Sequence, residues 1–516
     1  MQGNELSTTI LLAVTFPPVH SKGFVSMRTT LAKLDSSRLT LNESARLRCE
    51  AALELKDRGE YDRAREVMRP FWKIFGERPK TEGLHPGTAA ELLFHVGILT
   101  RWIGSKNQIR ESSQIASDLI SESITYWEGE RDVKKVAAAR AELAYCYWRE
   151  GALDNARVMF TEALKKLTAE GNTRANALLG LSVVEWSASR YHDSLKVLTD
   201  NASLFEKIRN HTTKGTYHNQ LAMVLRSLAT AEKRNDYFER AIKEYEQADQ
   251  QFKLAHNPVF RGNVKNNVGF LLLKLGRFKA ASAYLTEARR LALNAKDKIL
   301  VAQFDDSLAK LFTATNQLKE AEAAVRRSVN VLDKSGHQNT LADSLITYGI
   351  VLARLRKTDQ AQFIFQRAIE QAHNAGALST AGIAALTMIE EIDDLSAETS
   401  SHAYEQAGEW LSTCQSQELW FRFKVAGKKV VQKLRSASEE GSGILFNKPC
   451  HMRKEVLRFE QRLISQALAA ANGRITHAAK WLGIGRQRLA YIIETRHPDL
   501  LKERTPVRRR PRKGSN

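Results

Sequence analysis

A small residue recurs every 40 positions, at Ala241, Ala281, Ala321 and Ala361, and this period constrains the fold more than any other feature. Around it the same pattern returns: apolar residues at helical spacing, a turn of glycine or polar residues, then a second amphipathic run. Asn267–Ala288 is the clearest copy, and Ser307–Ala321 and Tyr348–Ala361 repeat it. Ala64, Ala156 and Ser194 keep the register less strictly. Self-similarity at such a period means stacked supersecondary units, none of which can bury its apolar face alone. The small residues Gly269 and Ala281, Ala309 and Ala321, Gly349 and Ala361 are expected to let paired helices approach closely. Phe278, Leu285, Leu318 and Phe365 are expected to fill the space between pairs.

Composition agrees with helix. Only 10 prolines and 28 glycines in 516 residues leave little material for sandwich or barrel turns, and 43% apolar content suits a folded chain. The net charge of +20 points to an anionic partner, nucleic acid first, an acidic protein or membrane surface next. That charge is concentrated: residues 447–516 hold 17 Lys/Arg against 5 Asp/Glu, a net of +12. Cys49, Cys146, Cys414 and Cys450 are scattered, without metal-ligand spacing, so neither zinc nor structural disulfides are expected and a reducing cytoplasm fits. No apolar run approaches the ~20 residues that span a bilayer, so no membrane partner is expected. The short apolar segment Thr9–Phe16 lacks a basic leader, which makes a signal peptide the weaker reading. Residues 1–40 are expected to be a disordered extension, with Met27 as an alternative start. No HExxH, GxSxG or Walker A motif occurs, so no catalytic residue, cofactor or metal site is expected and the chain is read as a non-enzyme.

The repeat resembles the tetratricopeptide repeat in a lengthened form, from about Ala51 to about Gln415, inside an array spanning residues 41–435. The resemblance implies an all-α superhelical solenoid that binds a peptide, an extended protein segment or a neighbouring subunit on its concave face. Asn263, Asn266, Gln303, Asp306 and Lys310 are the positions expected to look into that groove. Taken by themselves they are also an ordinary solvated polar face, and they do not reproduce the clamp that co-chaperone repeats close on an acidic C-terminus.

After Arg435 the composition changes. Residues 436–450 have a linker composition, Ser436–Gly443 above all, and helical signals resume at His451. The apolar face of that helix ends at Asn472-Gly473. A short helix near Thr476 carries Ala478, Ala479 and Leu482 on one side; Gly483 ends it, Ile484 plugs the corner, and a second helix starts near Gly485. Ala479, Gly483 and Leu489 fall at the three defining positions of a helix-turn-helix. Trp481 is expected in the core. Together with Gly473, Thr476 and Arg486, these residues make 451–500 similar to the DNA-binding domain of the factor for inversion stimulation, Fis, which also ends many bacterial enhancer-binding regulators. Gly485 departs from that family's usual Ser or Asn cap.

The resemblance implies that the second helix enters the major groove of double-stranded DNA. Arg486, Gln487, Arg488 and Tyr491 are then placed to read bases, and Thr476, His477 and Lys480 to hold phosphate. Residues 501–516, with Arg508, Arg509 and Arg510, are expected to be a disordered basic tail that adds salt-sensitive backbone affinity. The expected function is sequence-specific DNA-binding transcription regulation at the nucleoid, with repeats engaged in protein–protein interaction and a homodimer reading a palindromic site. The alternative is a non-enzymatic scaffold whose basic C-terminus docks on nucleic acid without sequence preference.

Overall fold

The computed structural model describes residues 39–109, 111–169, 171–412, 417–442 and 451–503. The expected N-terminal extension (bar its last two residues), linker residues 443–450 and the basic tail from 504, with Arg508, Arg509 and Arg510, lie outside the described residues. Among the described residues the regular structure is all helix, in two compact units, residues 1–430 and 431–516.

The first unit is a stack of helical hairpins. α1 (Leu41–Asp57) pairs with α2 (Tyr61–Met68), α3 (Pro86–Lys106) with α4 (Ser112–Gly129), and α5 (Val133–Arg149) with α6 (Leu153–Lys166). α7 (Asn172–Ser187) pairs with α8 (Tyr191–Thr199); the short α9 (Ala202–Lys207) follows, then α10 (His211–Ala231) with α11 (Asn235–Leu254). The regular repeats are α12 (Pro258–Lys274) with α13 (Phe278–Asn294), α14 (Lys298–Ala314) with α15 (Leu318–Leu332), and α16 (Gln338–Arg354) with α17 (Thr358–Asn374). α18 (Leu378–Glu391) and α19 (Ala397–Trp410) close the series, and α20 (Gln417–Ser442) follows.

The turns share one chemistry. A residue in the left-handed region ends the first helix, and the next backbone N–H folds back onto it. Gly276 (φ 71°) is followed by Arg277, whose N–H donates to the Leu272 carbonyl at 2.9 Å; Asn316 (φ 59°) and Arg356 (φ 61°) do the same work two and four helices on. In several hairpins a large side chain of the second helix fills the space over a glycine of the first. A Cβ on Gly269 would lie 2.5 Å from Leu285 and one on Gly349 2.7 Å from Phe365; between neighbouring hairpins, one on Gly180 of α7 would lie 2.2 Å from Phe160 of α6. Ala281, Ala321 and Ala361, each the fourth residue of its helix, are fully buried at the closest approach.

Leu285 and Phe365 therefore fill the inside of a hairpin rather than the space between hairpins. Phe278 departs further from expectation: as the first residue of α13 it is 40% exposed, so it is only partly packed. The helix α20 also runs through residues 436–442, the first part of the expected linker. Ser-Ala-Ser-Glu-Glu contains no helix breaker, so the helix continues from Arg435 through Ser442.

The array curls until one part rests on another. The Asp57 carbonyl, at the turn of the first hairpin, accepts from Asn257 Nδ2 (2.7 Å) and Thr212 Oγ1 (3.2 Å), and its carboxylate accepts from Asn210 Nδ2 (3.2 Å). At the turn of the second hairpin Lys106 Nζ lies 3.5 Å from Asp297, and Gln108 Nε2 donates to Thr340 Oγ1 at 2.8 Å. The starts of α10, α12, α14 and α16 thus sit on the turns of the first two hairpins. The inner helices are crowded as a result, and Arg101 and Glu142, on α3 and α5, form a buried ion pair at 2.7 Å.

Candidate nucleic-acid interface

The second unit holds α21 (Met452–Ala470), α22 (Ile475–Trp481), α23 (Arg486–Arg496) and a 3-10 turn at Pro498–Glu503. Its core joins Ile464, Ala467 and Leu468 of α21 to Ile475, Ala478 and Ala479 of α22 and Leu489 and Ile493 of α23. Leu500 of the 3-10 turn completes the core, and Glu460 ties it to α21 by pairing with Arg496 and with His497 Nε2, each at 3.1 Å.

The corner between α22 and α23 is built by backbone hydrogen bonds. Gly483 has φ 67°; its N–H donates to the Lys480 carbonyl at 3.3 Å, and the Ile484 N–H to the Ala479 carbonyl at 3.0 Å. This is the Schellman pattern, with Ile484 packed half-buried against the core. Nothing lies within 4 Å of a Cβ placed on Gly483, so the requirement for glycine is conformational rather than steric. Gly483→Val should therefore destabilise this unit by about 1–2 kcal/mol, since a left-handed backbone crowds a branched Cβ against its carbonyl. Faster hydrogen exchange at the Leu489 and Ile493 amides, with exchange in the array unchanged, is the expected readout.

α23 begins at Gly485 (φ −67°, ψ 144°) with no side chain capping it. Its first backbone N–H groups precede the first intrahelical bond, from the Leu489 N–H to the Gly485 carbonyl at 3.0 Å. With Leu489 and Ile493 buried, a 100° turn per residue puts Tyr491 directly away from the core, Gln487 and Arg488 on the outward side, and Arg486 at the edge of the core face. All four are exposed, as are Thr476, His477 and Lys480 on α22. These seven residues share the small unit and surround its corner.

Trp481 is not a core residue. It is 64% exposed, because it follows the buried Ala479 by two residues, 200° around the helix. Arg474, exposed just before α22, and Glu494, on the outward side of α23 with Gln487 and Tyr491, escaped the motif-based reading. The turn-by-turn geometry used above is the signal that finds them.

The five expected groove positions lie together on α12 and α14. Asn266, Gln303 and Asp306 are buried, and Asn263 and Lys310 are partly exposed. Lys310 Nζ pairs with Asp306 at 2.7 Å. Burial works against the Lys310 charge, but Asp306 and Asp343 outweigh it and hold its pKa above the ordinary lysine value. Among the described residues, one oxygen each of Asn266 and Asp306, and the amide nitrogen and oxygen of the buried Gln220 on α10, have no hydrogen-bond partner. Gln220 was not anticipated. It follows Gly215 by five residues, as Asn267 follows Gly262, so helix register is the signal that would have found it.

Residues 456–493 match the family described as "Bacterial regulatory protein, Fis family". The helix-turn-helix is thus of Fis type, the architecture of a DNA-binding regulator. No curated protein sequence matches the chain. Among solved structures it is similar to the quorum sensor NprR from B. thuringiensis in its apo form, at 12% identity and TM-score 0.47, covering 66% of this chain and 91% of that one. A Rap protein complexed with competence and sporulation factor gives 12% identity and TM-score 0.44, covering 76% and 99%. A STAND signal-transduction ATPase with a tetratricopeptide-repeat sensor from Pyrococcus horikoshii gives 14% identity and TM-score 0.44, covering 82% and 67%.

Proposed function

We propose that this chain is a sequence-specific DNA-binding transcription regulator, acting at the nucleoid in the cytoplasm, whose helical repeats bind a protein or peptide. The uncapped N-terminus of α23, ringed by the exposed Arg486, Gln487 and Arg488, is the observation that carries the reading. Free backbone N–H groups at a helix start attract phosphate, while arginine and glutamine beside them match guanine and adenine edges. Thr476, His477 and Lys480 would hold the neighbouring phosphates, and Arg508, Arg509 and Arg510 would add to them. Selection of genomic fragments by the full-length protein at physiological salt tests this. Recovery of a shared motif supports it, and recovery of unrelated fragments in proportion to their length means non-specific docking.

Gln220, Asn266 and Asp306 support the peptide-binding half. Buried amides with unmet donors and acceptors suit the main chain of an extended peptide, which offers both. Asn263, Gln303 and Lys310 would border that path.

An exposed apolar stripe supports a homodimer. Met452, Val456, Phe459 and Leu463 are spaced as along a coiled-coil seam on α21 and are 41–80% exposed. A second copy covering this stripe would present two recognition helices to half-sites ~34 Å apart. Phe459→Glu with Leu463→Glu should convert a dimer to monomer in sedimentation and lower affinity for a palindromic site by roughly tenfold or more. An unchanged sedimentation coefficient would remove the stripe from the dimer interface.

A further inference from the structure

At one place in the array the starts of α3, α5 and α7 meet the ends of α4 and α6. A cleft of about 250 Å³ opens there, its floor formed by Phe94, Trp127 and Leu167. This is below the roughly 300–1,000 Å³ of pockets for drug-sized ligands, so it suits a monocyclic or short-chain occupant.

The rim carries several positive charges. Lys134, Lys166 and Arg174 line it, and among the described residues no carboxylate pairs with any of them. Among the described residues Glu91 is the one acid in the lining, and it is already engaged by Lys135 at 3.0 Å and by Arg46 at 3.6 Å. Arg174 Nη1 donates to the Leu164 and Leu167 carbonyls, at 3.2 and 2.7 Å, which fixes the turn carrying the cleft's wall. The start of α7 has no side-chain cap, so the positive end of a 16-residue helix adds to the same field.

An independent observation comes from the floor. Trp127 is 3% exposed, and among the described residues its indole Nε1–H has no hydrogen-bond partner. Its ring is held by an edge-on contact with Phe94, centroids 5.3 Å apart, and Lys135 Nζ stands 5.6 Å from its centroid. Buried donors are almost always satisfied, so an orphan N–H beside a cationic rim calls for an acceptor.

We propose that this cleft binds a small organic anion, a carboxylate or phosphate monoester on an aromatic or short apolar body. The apolar body would lie on Phe94, Trp127 and Leu167 while Lys134, Lys166 and Arg174 hold the charge. The site belongs to the array alone and stands whether or not the second unit reads DNA sequence.

Calorimetric titration of the full chain with phenyl phosphate tests the proposal, beside inorganic phosphate, benzyl alcohol and benzylammonium. Phenyl phosphate should bind saturably, inorganic phosphate and benzyl alcohol about tenfold more weakly or worse, and benzylammonium not at all. Lys134→Gln with Lys166→Gln should lower the phenyl phosphate affinity at least about tenfold. Both lysines are exposed, so this pair of changes leaves the fold intact, which circular dichroism checks. Trp127→Phe keeps an aromatic ring on the cleft wall and removes the N–H with the five-membered part of the indole, and should weaken binding about threefold or more. Phenyl phosphate held instead by the basic second unit would be insensitive to all three array changes, and that result overturns the proposal. So would equal binding of benzylammonium, or no saturation up to about 10 mM phenyl phosphate.

Discussion

Replacing Arg486 and Arg488 together by alanine is expected to abolish discrimination between DNA sequences while leaving the second unit folded. Both side chains are exposed at the start of α23 and contribute nothing to its core of Leu489 and Ile493. A bidentate arginine–guanine contact is worth about 1–3 kcal/mol, so losing two lowers specific affinity by roughly 30-fold to 10⁴-fold. Binding to random DNA should fall far less, because phosphate contacts from the rest of the surface remain. Thr476→Ala with Lys480→Ala should behave oppositely, weakening all sequences alike and flattening the salt dependence by about one unit of slope. Mobility-shift titrations against specific and scrambled sites, at several salt concentrations, separate the two patterns. A double arginine variant that still prefers one site would show that the sequence is read elsewhere.

The second large effect is expected in the array. Phe160 of α6 is fully buried and fills the space over Gly180 of α7, while the Tyr145 ring meets it edge-on at 4.8 Å. Phe160→Ala should cost about 3–5 kcal/mol through lost burial and a residual cavity. Gly180→Val approaches the same contact from the other side. A Cβ there would sit 2.2 Å from the phenyl ring, so either the ring or α7 must move, at about 1–3 kcal/mol or more. Both variants should lower the thermal midpoint of the array as seen by circular dichroism. Protection of the Leu489 and Ile493 amides should persist, since the second unit has its own core. Loss of both together would mean that the two units fold as one.

Much of the fold was legible because helix pairing is a local matter. The spacing of Ala281, Ala321 and Ala361, the turn residues Gly276 and Asn316, and the small residue Gly269 opposite a larger one all act within one hairpin. The helix-turn-helix was legible for the same reason: Gly483 and Leu489 are six residues apart, and the left-handed turn and the core anchor are one motif. The misreadings concern neighbours that no local pattern names. The pattern assigns Phe278 to the packing between hairpins, yet at the start of α13 it stays 40% exposed. Trp481 was taken for core by its chemistry, whereas its position 200° from Ala479 turns it outward.

By itself, then, the sequence determined the hairpin repeat, its small-residue contacts and the corner at Gly483, since each depends on side chains a few residues apart and on backbone preferences that travel with them. Only the tertiary structure decided how far the array curls. The contacts of Asp57 with Asn210, Thr212 and Asn257, and of Gln108 with Thr340, join residues 153 to 232 positions apart. They arise from small rotations accumulated hairpin by hairpin. No single repeat encodes that sum, and it is what crowds the inner helices and buries Asn266, Gln303 and Asp306.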